Sequence, residues 1–272
     1  MRTSPRSYVP AAPTYMRVLV TRPAREAQRW VHVLRLHGID ASALPLIEIG
    51  EPPDQDAVRR EWARLDRYDA VMFVSGNAVD RFFALRPPAL PTWPGARTRA
   101  WAPGPGTRDA LVRCGRALAS IDQPDAMARQ FDSRALWDQV ARQVKAGQRV
   151  LVVRGGDAAG QGSGRDWLGS QLVEVGVAVD TVVAYCRRPP HWTPAQRELA
   201  QQASADGSAW LFSSSEAIGH LNAQMPGQSW SGARAVATHP RIGQAATDAG
   251  FGVVCLSRPT LADVVASIES IR

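Results

Sequence analysis

The chain has 272 residues, 45% of them apolar and 21% charged, with 22 Gly and 20 Pro, which is ordinary globular composition with length enough for two domains. The 32 basic and 25 acidic residues leave a formal charge of +7, and Lys145 is the single lysine, so the positive charge rests on arginine, which grips carboxylates and phosphates through a rigid fork. No run approaches the roughly 20 apolar residues of a membrane span and no apolar signal core stands near Met1, so a cytoplasmic location is expected.

Residues 1–15 carry three prolines and no apolar periodicity, which predicts an unstructured leader and makes Met16 an alternative start. The folded pattern then begins with the β-branched run Arg17-Val18-Leu19-Val20-Thr21. A helix is predicted over Ala24 to His37, with Ala27, Trp30, Val31 and Leu34 at helical spacing and Gly38 as its stop. Strand, helix and glycine stop recur along the chain. A second strand is expected at Leu44–Ile49 and its counterpart at Val182–Cys186.

The chain also repeats itself. Tyr68-Asp69-Ala70-Val71-Met72-Phe73-Val74-Ser75-Gly76 resembles Gly207-Ser208-Ala209-Trp210-Leu211-Phe212-Ser213-Ser214-Ser215, each an apolar strand entering a small polar turn. Arg99 to Gly115 lies over Arg234 to Gly250 without gaps, and Arg17 to Arg22 lies over Arg149 to Arg154. Two copies of a β-α set with near-continuous apolar strands predict an α/β fold of parallel sheets covered by helices on both faces.

In such sheets ligands bind beyond the strand carboxyl ends, where helix N-termini offer free N–H groups and the positive end of a dipole. Six polar turns occupy those places: Thr21-Arg22, Ser75-Gly76-Asn77, Gly104-Pro105-Gly106-Thr107, Arg154-Gly155-Gly156, Ser213-Ser214-Ser215 and His239-Pro240-Arg241. Each alone reads as a helix cap. Together with Arg22, Arg154 and Arg241 they describe a cleft for a small molecule bearing several negative charges. Other chemistries fit poorly. Gly104 to Thr107 lacks the third glycine of a dinucleotide turn, and Gly155 to Gly164 lacks the G-K-[ST] ending of a phosphate loop. The three cysteines stand far apart and the five histidines are scattered, so no metal site is expected. A Schiff-base enzyme would have to use Lys145. No serine sits in a G-x-S-x-G elbow, and no Arg/Lys cluster interleaves with aromatics as a nucleic-acid surface requires. Tyr185, near the end of the 182–186 run, is either a phenol able to donate a proton or a ring half-buried on a strand.

The turns Val20 to Pro23, Phe73 to Val79, Gly104 to Thr107, Phe212 to Ser215 and His239 to Ile242, with Leu44-Pro45-Leu46-Ile47 and Val183-Ala184-Tyr185 as crossovers, resemble in order and spacing the bacterial uroporphyrinogen-III synthase family, from about residue 17 to the C-terminus. The resemblance implies two flavodoxin-like domains joined by a two-stranded β-ladder. One would be discontinuous (16–43 plus 188–272), the other would span 50–181, and 44–49 and 182–187 would connect them. It implies closure of the linear tetrapyrrole hydroxymethylbilane, which carries eight carboxylates, with loss of water and inversion of the last ring. No cofactor, nucleic acid or membrane is implied. The chain would act as a monomer, with at most transient contact with neighbouring enzymes of its pathway. The resemblance assigns Tyr185 to loss of the hydroxyl, and Arg22, Ser75, Gly76, Asn77, Thr107, Arg154, Gly155, Ser213, Ser214, Ser215, Pro240, Arg241 and Ile242 to substrate binding. Arg22 and Arg154 remain open to an internal ion pair instead. Two departures stand out: Gly76 replaces a larger residue, and Ala158 to Gly164 lengthens the loop before Arg165. The competing function is a non-catalytic cleft protein that binds a polyanionic metabolite.

Overall fold

A computed structural model describes residues 16–93, 97–162 and 167–272. The expected leader, and residues 163–166 at the end of the glycine-rich stretch, lie outside the described residues. Along the chain come β1 (Val18–Val20), α1 (Ala24–Leu36), β2 (Ala41–Ala43), β3 (Glu48–Gly50), α2 (Gln55–Ala63), β4 (Ala70–Phe73) and α3 (Gly76–Ala84). Then follow β5 (Arg99–Trp101), α4 (Pro105–Arg113), β6 (Ile121–Asp122), α5 (Ser133–Val140), β7 (Arg149–Gly156), α6 (Trp167–Glu174) and β8 (Ala178–Arg188). The last third holds α7 (Pro194–Ala203), β9 (Ala209–Phe212), α8 (Ser215–Gln224), β10 (Arg234–Ala237), α9 (Pro240–Asp248), β11 (Val253–Leu256) and α10 (Leu261–Ser270).

These strands form two sheets. The first has the order β11-β10-β9-β1-β2 and is parallel throughout. The second has the order β3-β8-β7-β4-β5-β6 and is parallel except where β3 runs against β8. Matching the repeated segments, β7 with β1, β4 with β9 and β5 with β10, gives both sheets the same strand order, that of a flavodoxin-like sheet. The first sheet draws on both ends of the chain, whereas residues 48–188 supply the whole of the second.

The segment between the sheets differs from the expected single strand at Leu44–Ile49. The parallel partner of β1 comes earlier, at Ala41–Ala43, and the antiparallel strand is only Glu48–Gly50, paired with Cys186–Arg188. Pro45 has no N–H to give a ladder, and the neighbouring donors are already committed: Leu44 N bonds Val20 O and Leu46 N bonds Thr21 O. The chain therefore leaves one sheet before it can join the other.

Side-chain alternation along the strands builds a core on each face. In the first sheet Leu19, Trp210 and Phe212 pack with Trp230 and Phe251 on one side, while Val18, Val20 and Leu211 meet Val264 and Ile268 on the other. In the second, Val71 and Phe73 meet Trp62 and Phe82, and Met72 and Trp101 meet Leu136 and Leu168. Helix α1 buries Ala27, Val31 and Leu34, and Gly38, at φ +71°, supplies the left-handed turn that ends it.

Candidate active site at the facing strand ends

The carboxyl ends of the two sheets meet. Asn77 Nδ2 donates to Glu26 Oε1 at 2.8 Å, Arg187 Nε donates to Glu216 Oε2 at 2.6 Å, and His239 Nε2 lies 3.7 Å from Asp132 Oδ2. In each contact one residue belongs to the first sheet's side and the other to the second's: Glu26, Glu216 and His239 follow strands of the first, Asn77 and Asp132 follow strands of the second, and Arg187 lies near the end of β8. In each sheet the strand order reverses between two neighbours, β1 and β9 in the first and β7 and β4 in the second. Those crevices are where ligands of open α/β sheets bind.

Four helices begin here, three of them capped by a side chain. Ser75 caps α3 by accepting from Ala78 N at 3.2 Å, Ser214 caps α8 by accepting from Glu216 N at 3.2 Å, and His239 Nδ1 accepts from Arg241 N at 3.1 Å at the start of α9. Because Nδ1 accepts that bond, the neutral ring carries its hydrogen on Nε2, towards Asp132. Gly104 opens α4, with Pro105 at its first position, where a missing N–H costs nothing. Gly76 lets α3 and α4 approach: a Cβ there would sit 3.2 Å from Gly106 O.

Tyr185 is buried, and its Oη lies 3.0 Å from Ser75 Oγ. It stands on β8 opposite Gly155, where the β7–β8 register slips between Arg154 and Gly155. A methyl group on Gly155 would overlap the tyrosine ring and the Arg187 guanidinium. Both side chains therefore converge on the space that the glycine leaves.

Arg22 sits 3.3 Å from Glu26 Oε2, in the first turn of α1, with its guanidinium 4.6 Å above the Trp30 ring. Burial lowers its pKa, and the Glu26 charge and hydrogen bond oppose that shift. Its Nε is buried with no hydrogen-bond partner among the described residues. Arg154 is half-buried under the 156–162 turn, where a Cβ on Gly162 would come 3.2 Å from its Nε. That turn closes through a Gly156–Gly162 bridge, with Asp157 Oδ1 accepting from Ala159 N and Gln161 N.

The remaining expected residues are less uniform. Ser213 and Ser214 are half-buried and Ser215 is exposed. Thr107 is buried in the first turn of α4. Pro240 and Arg241 are exposed, whereas the Ile242 side chain is buried in the first sheet's core and its N–H bonds the His239 carbonyl. A cavity of about 210 Å³ lies between the sheets at this end, lined by Arg129, Thr238, His239, Pro240 and Arg258 among others. That is below the 300–1,000 Å³ of a typical small-molecule site.

Three residues of this region escape the motif argument: Glu26, Arg187 and Glu216. Their signals were local. Glu26 is four residues after Arg22 on a helix, Arg187 shares the face of Tyr185 two residues along a strand, and Glu216 stands in the first turn after the serine cluster. Among the described residues no His, Cys, Asp and Glu group is arranged to hold a metal, and no helix is long and apolar enough to cross a membrane.

Residues 28–266 match the family described as uroporphyrinogen-III synthase HemD. A uroporphyrinogen-III synthase of Salmonella typhimurium is 29% identical over 184 residues, which cover 68% of this chain and 70% of that one. Among solved structures, the uroporphyrinogen-III synthetase of Helicobacter pylori aligns over 94% of this chain and 100% of its own with a TM-score of 0.57 at 15% identity. A mutant uroporphyrinogen III synthase of Thermus thermophilus aligns over 94% of this chain and 96% of its own, with a TM-score of 0.52 at 14% identity. At such identities the two structures speak for the fold, a two-domain α/β architecture of parallel sheets. With the family match spanning most of its length, the chain belongs to the uroporphyrinogen-III synthases, enzymes of tetrapyrrole biosynthesis.

Proposed function

We propose that this chain closes hydroxymethylbilane between its two sheets, with Tyr185 as the proton donor to the departing hydroxyl. The observation that carries this reading is the Tyr185 Oη to Ser75 Oγ contact at 3.0 Å, a phenol held by a helix-cap serine beside the β4/β7 crevice. The ring A hydroxyl leaves as water with the tyrosine proton, and its C–O bond breaks to give an azafulvene. Ring D attacks through its substituted carbon, and the resulting spiro centre opens and recloses in the inverted sense. The proton is returned when the last pyrrole regains its aromaticity, so the step needs no oxidant or reductant.

The other demand is orientation, because the substrate also cyclises unaided to the symmetrical isomer I. The N-termini of α3, α4, α8 and α9 supply backbone N–H groups and positive dipole ends, which suit carboxylates spread around a flexible chain. In this reading Ser75, Gly76, Asn77 and Thr107 serve from the second sheet, and Ser213, Ser214, Ser215, Pro240, Arg241 and Ile242 serve from the first. Ile242 would contribute its position in the turn and not its side chain. Arg22 and Arg154 with Gly155 flank the two crevices. The side-chain contacts that join the two sheets describe a closed arrangement, so the bilane enters as the two sheets separate. The units that separate are residues 16–43 with 188–272, and 50–181, in a cytoplasmic monomer whose partners beyond substrate are transient.

The test is to give purified protein fresh hydroxymethylbilane and separate the oxidised products by isomer. Excess isomer III over the buffer control is expected, and isomer I alone at the control rate refutes the activity. Tyr185→Phe should lower kcat by about 10²–10⁴-fold, the range of general acid catalysis, with an unchanged circular dichroism spectrum. Wild-type turnover in that variant would remove Tyr185 from its role.

A further inference from the structure

We infer that Arg187 is a positioning residue for Tyr185, holding the phenol oxygen so that its hydrogen is left for the substrate. The inference rests on the assignment of Tyr185 above and concerns what makes that phenol a donor. Strand alternation puts Tyr185 and Arg187 on one face of β8, and both side chains fill the space beside Gly155. The guanidinium and the phenol lie together beside Gly155, and Arg187 Nε is fixed by Glu216 Oε2 at 2.6 Å. Burial, the largest influence, pulls the Arg187 pKa down, but the hydrogen bond to Glu216 leads the influences that together raise it above its ordinary value, so the cation persists.

Donor counting turns this geometry into a role. Arginine has donors only, so in its contact with Arg187 the tyrosine oxygen must accept. Ser75 Oγ accepts from Ala78 N and keeps its own hydrogen, which can be given to Tyr185. With Arg187 and Ser75 both placed to donate to the phenol oxygen, its own O–H is left for the substrate. When that proton passes to the leaving hydroxyl, the phenolate is left beside a fixed cation and a hydroxyl donor, both present before the reaction. Preorganised stabilisation of this kind accounts for large rate effects in buried sites.

Glu216 extends the arrangement across the two sheets. Its other oxygen lies 4.0 Å from His220 Nε2, and His220 Nδ1 is 2.7 Å from the Leu46 carbonyl, which can only accept. The cation at Tyr185 is thus anchored, through Glu216, to α8 of the first sheet. Separation of the sheets would withdraw Glu216 from Arg187, so the phenol is fully supported only when they are closed.

The decisive measurement is the kcat and KM of Arg187→Met, Arg187→Lys, Tyr185→Phe and the Tyr185→Phe/Arg187→Met pair, by isomer III formation with the spontaneous isomer I subtracted. Arg187→Met should lower kcat at least tenfold with KM changed by less than about threefold, the pattern of an interaction lost from the transition state. Arg187→Lys, which keeps the charge and serves as the variant that folds, should recover most of the lost kcat. The double variant should be no slower than Tyr185→Phe alone, because the arginine acts through the phenol. A rise in KM at constant kcat would make Arg187 a carboxylate clamp and overturn the inference. So would a full additional loss in the Tyr185→Phe background. If Tyr185→Phe itself turns over normally, the assignment of Tyr185 fails first; if only the arginine variants do, the inference alone fails.

Discussion

One carboxylate, that of Glu26, is shared between Asn77 and Arg22: Oε1 accepts from Asn77 Nδ2 at 2.8 Å, and Oε2 lies 3.3 Å from Arg22 Nη1. Asn77 comes from the second sheet and Arg22 from the first, so Glu26 both ties the sheets together and occupies the cation proposed above to meet a substrate carboxylate. It also adds a negative charge to the place proposed for an anionic chain.

Replacing Glu26 by Gln keeps an acceptor for Asn77 and releases Arg22. The expected result is a KM for hydroxymethylbilane lowered by about threefold or more at low ionic strength, a difference that shrinks in salt as screening grows. Thermal stability should fall, because a largely buried guanidinium loses its counter-charge. An unchanged KM at every salt concentration would mean that Arg22 has no part in binding.

Gly155 leads to a different expectation, since the obstacle to a side chain there is space and not backbone conformation. Its φ is not in the left-handed region, yet a Cβ would overlap the Tyr185 ring. Gly155→Ala must therefore push the phenol away from Ser75. Overpacking of this sort costs about 1–3 kcal/mol of stability, while an ångström of misplacement at a reacting group costs up to about a hundredfold in rate. Steady-state kinetics beside denaturant unfolding will separate the two, and the loss in kcat should exceed what the fraction unfolded explains.

The alkaline limb of stability should depend on Tyr68, at the opposite end of the second sheet. Its hydroxyl is 2.6 Å from Glu61 Oε2 and 2.9 Å from Asp180 Oδ2. Burial first, and then these two carboxylates, raise the phenol pKa well above its ordinary value. A folded value above the unfolded one, about 10, means a contribution that is whole below that pH and is lost as the pH climbs. Urea unfolding at pH 8 and pH 10.5 should show wild type losing stability over the interval and Tyr68→Phe losing less. Equal losses in both proteins would assign the alkaline limb to other groups.

Much of the architecture was legible because it depends on periodicity. The β1 run, the α1 stripe ending at Gly38 and the repeat of the 68–76 and 207–215 segments all report local burial, and the repeat points to two copies of a β-α set with parallel sheets. The linking segment is less legible. Apolar residues at 44–49 have a strand's composition, but Pro45 and the competing acceptors Val20 O and Thr21 O are facts of the folded partner, not of the run. At the site, the cap residues Ser75, Ser214 and Gly104 follow from side-chain chemistry at strand ends. Glu26, Arg187 and Glu216 did not stand out because each looks like an ordinary surface charge until the second sheet supplies its partner. Ile242 shows the converse: a residue in the right turn whose side chain the helix turns inward to the core.

The placement of β1 has a bearing on how the chain comes to be folded. It is an interior strand, paired with β2 on one side and with β9 on the other, and Thr21 Oγ1 donates to Leu211 O across 190 positions. During synthesis the N-terminal β-α-β unit emerges first and then has to wait, its open side unpaired, while residues 48–188 assemble a complete sheet of their own. Closing the first sheet is thus a late, long-range event that carries a large loop-closure entropy. Until Ala209–Phe212 arrives, the apolar edge of Val18–Val20 is the part of this protein most exposed to aggregation or to capture by a chaperone.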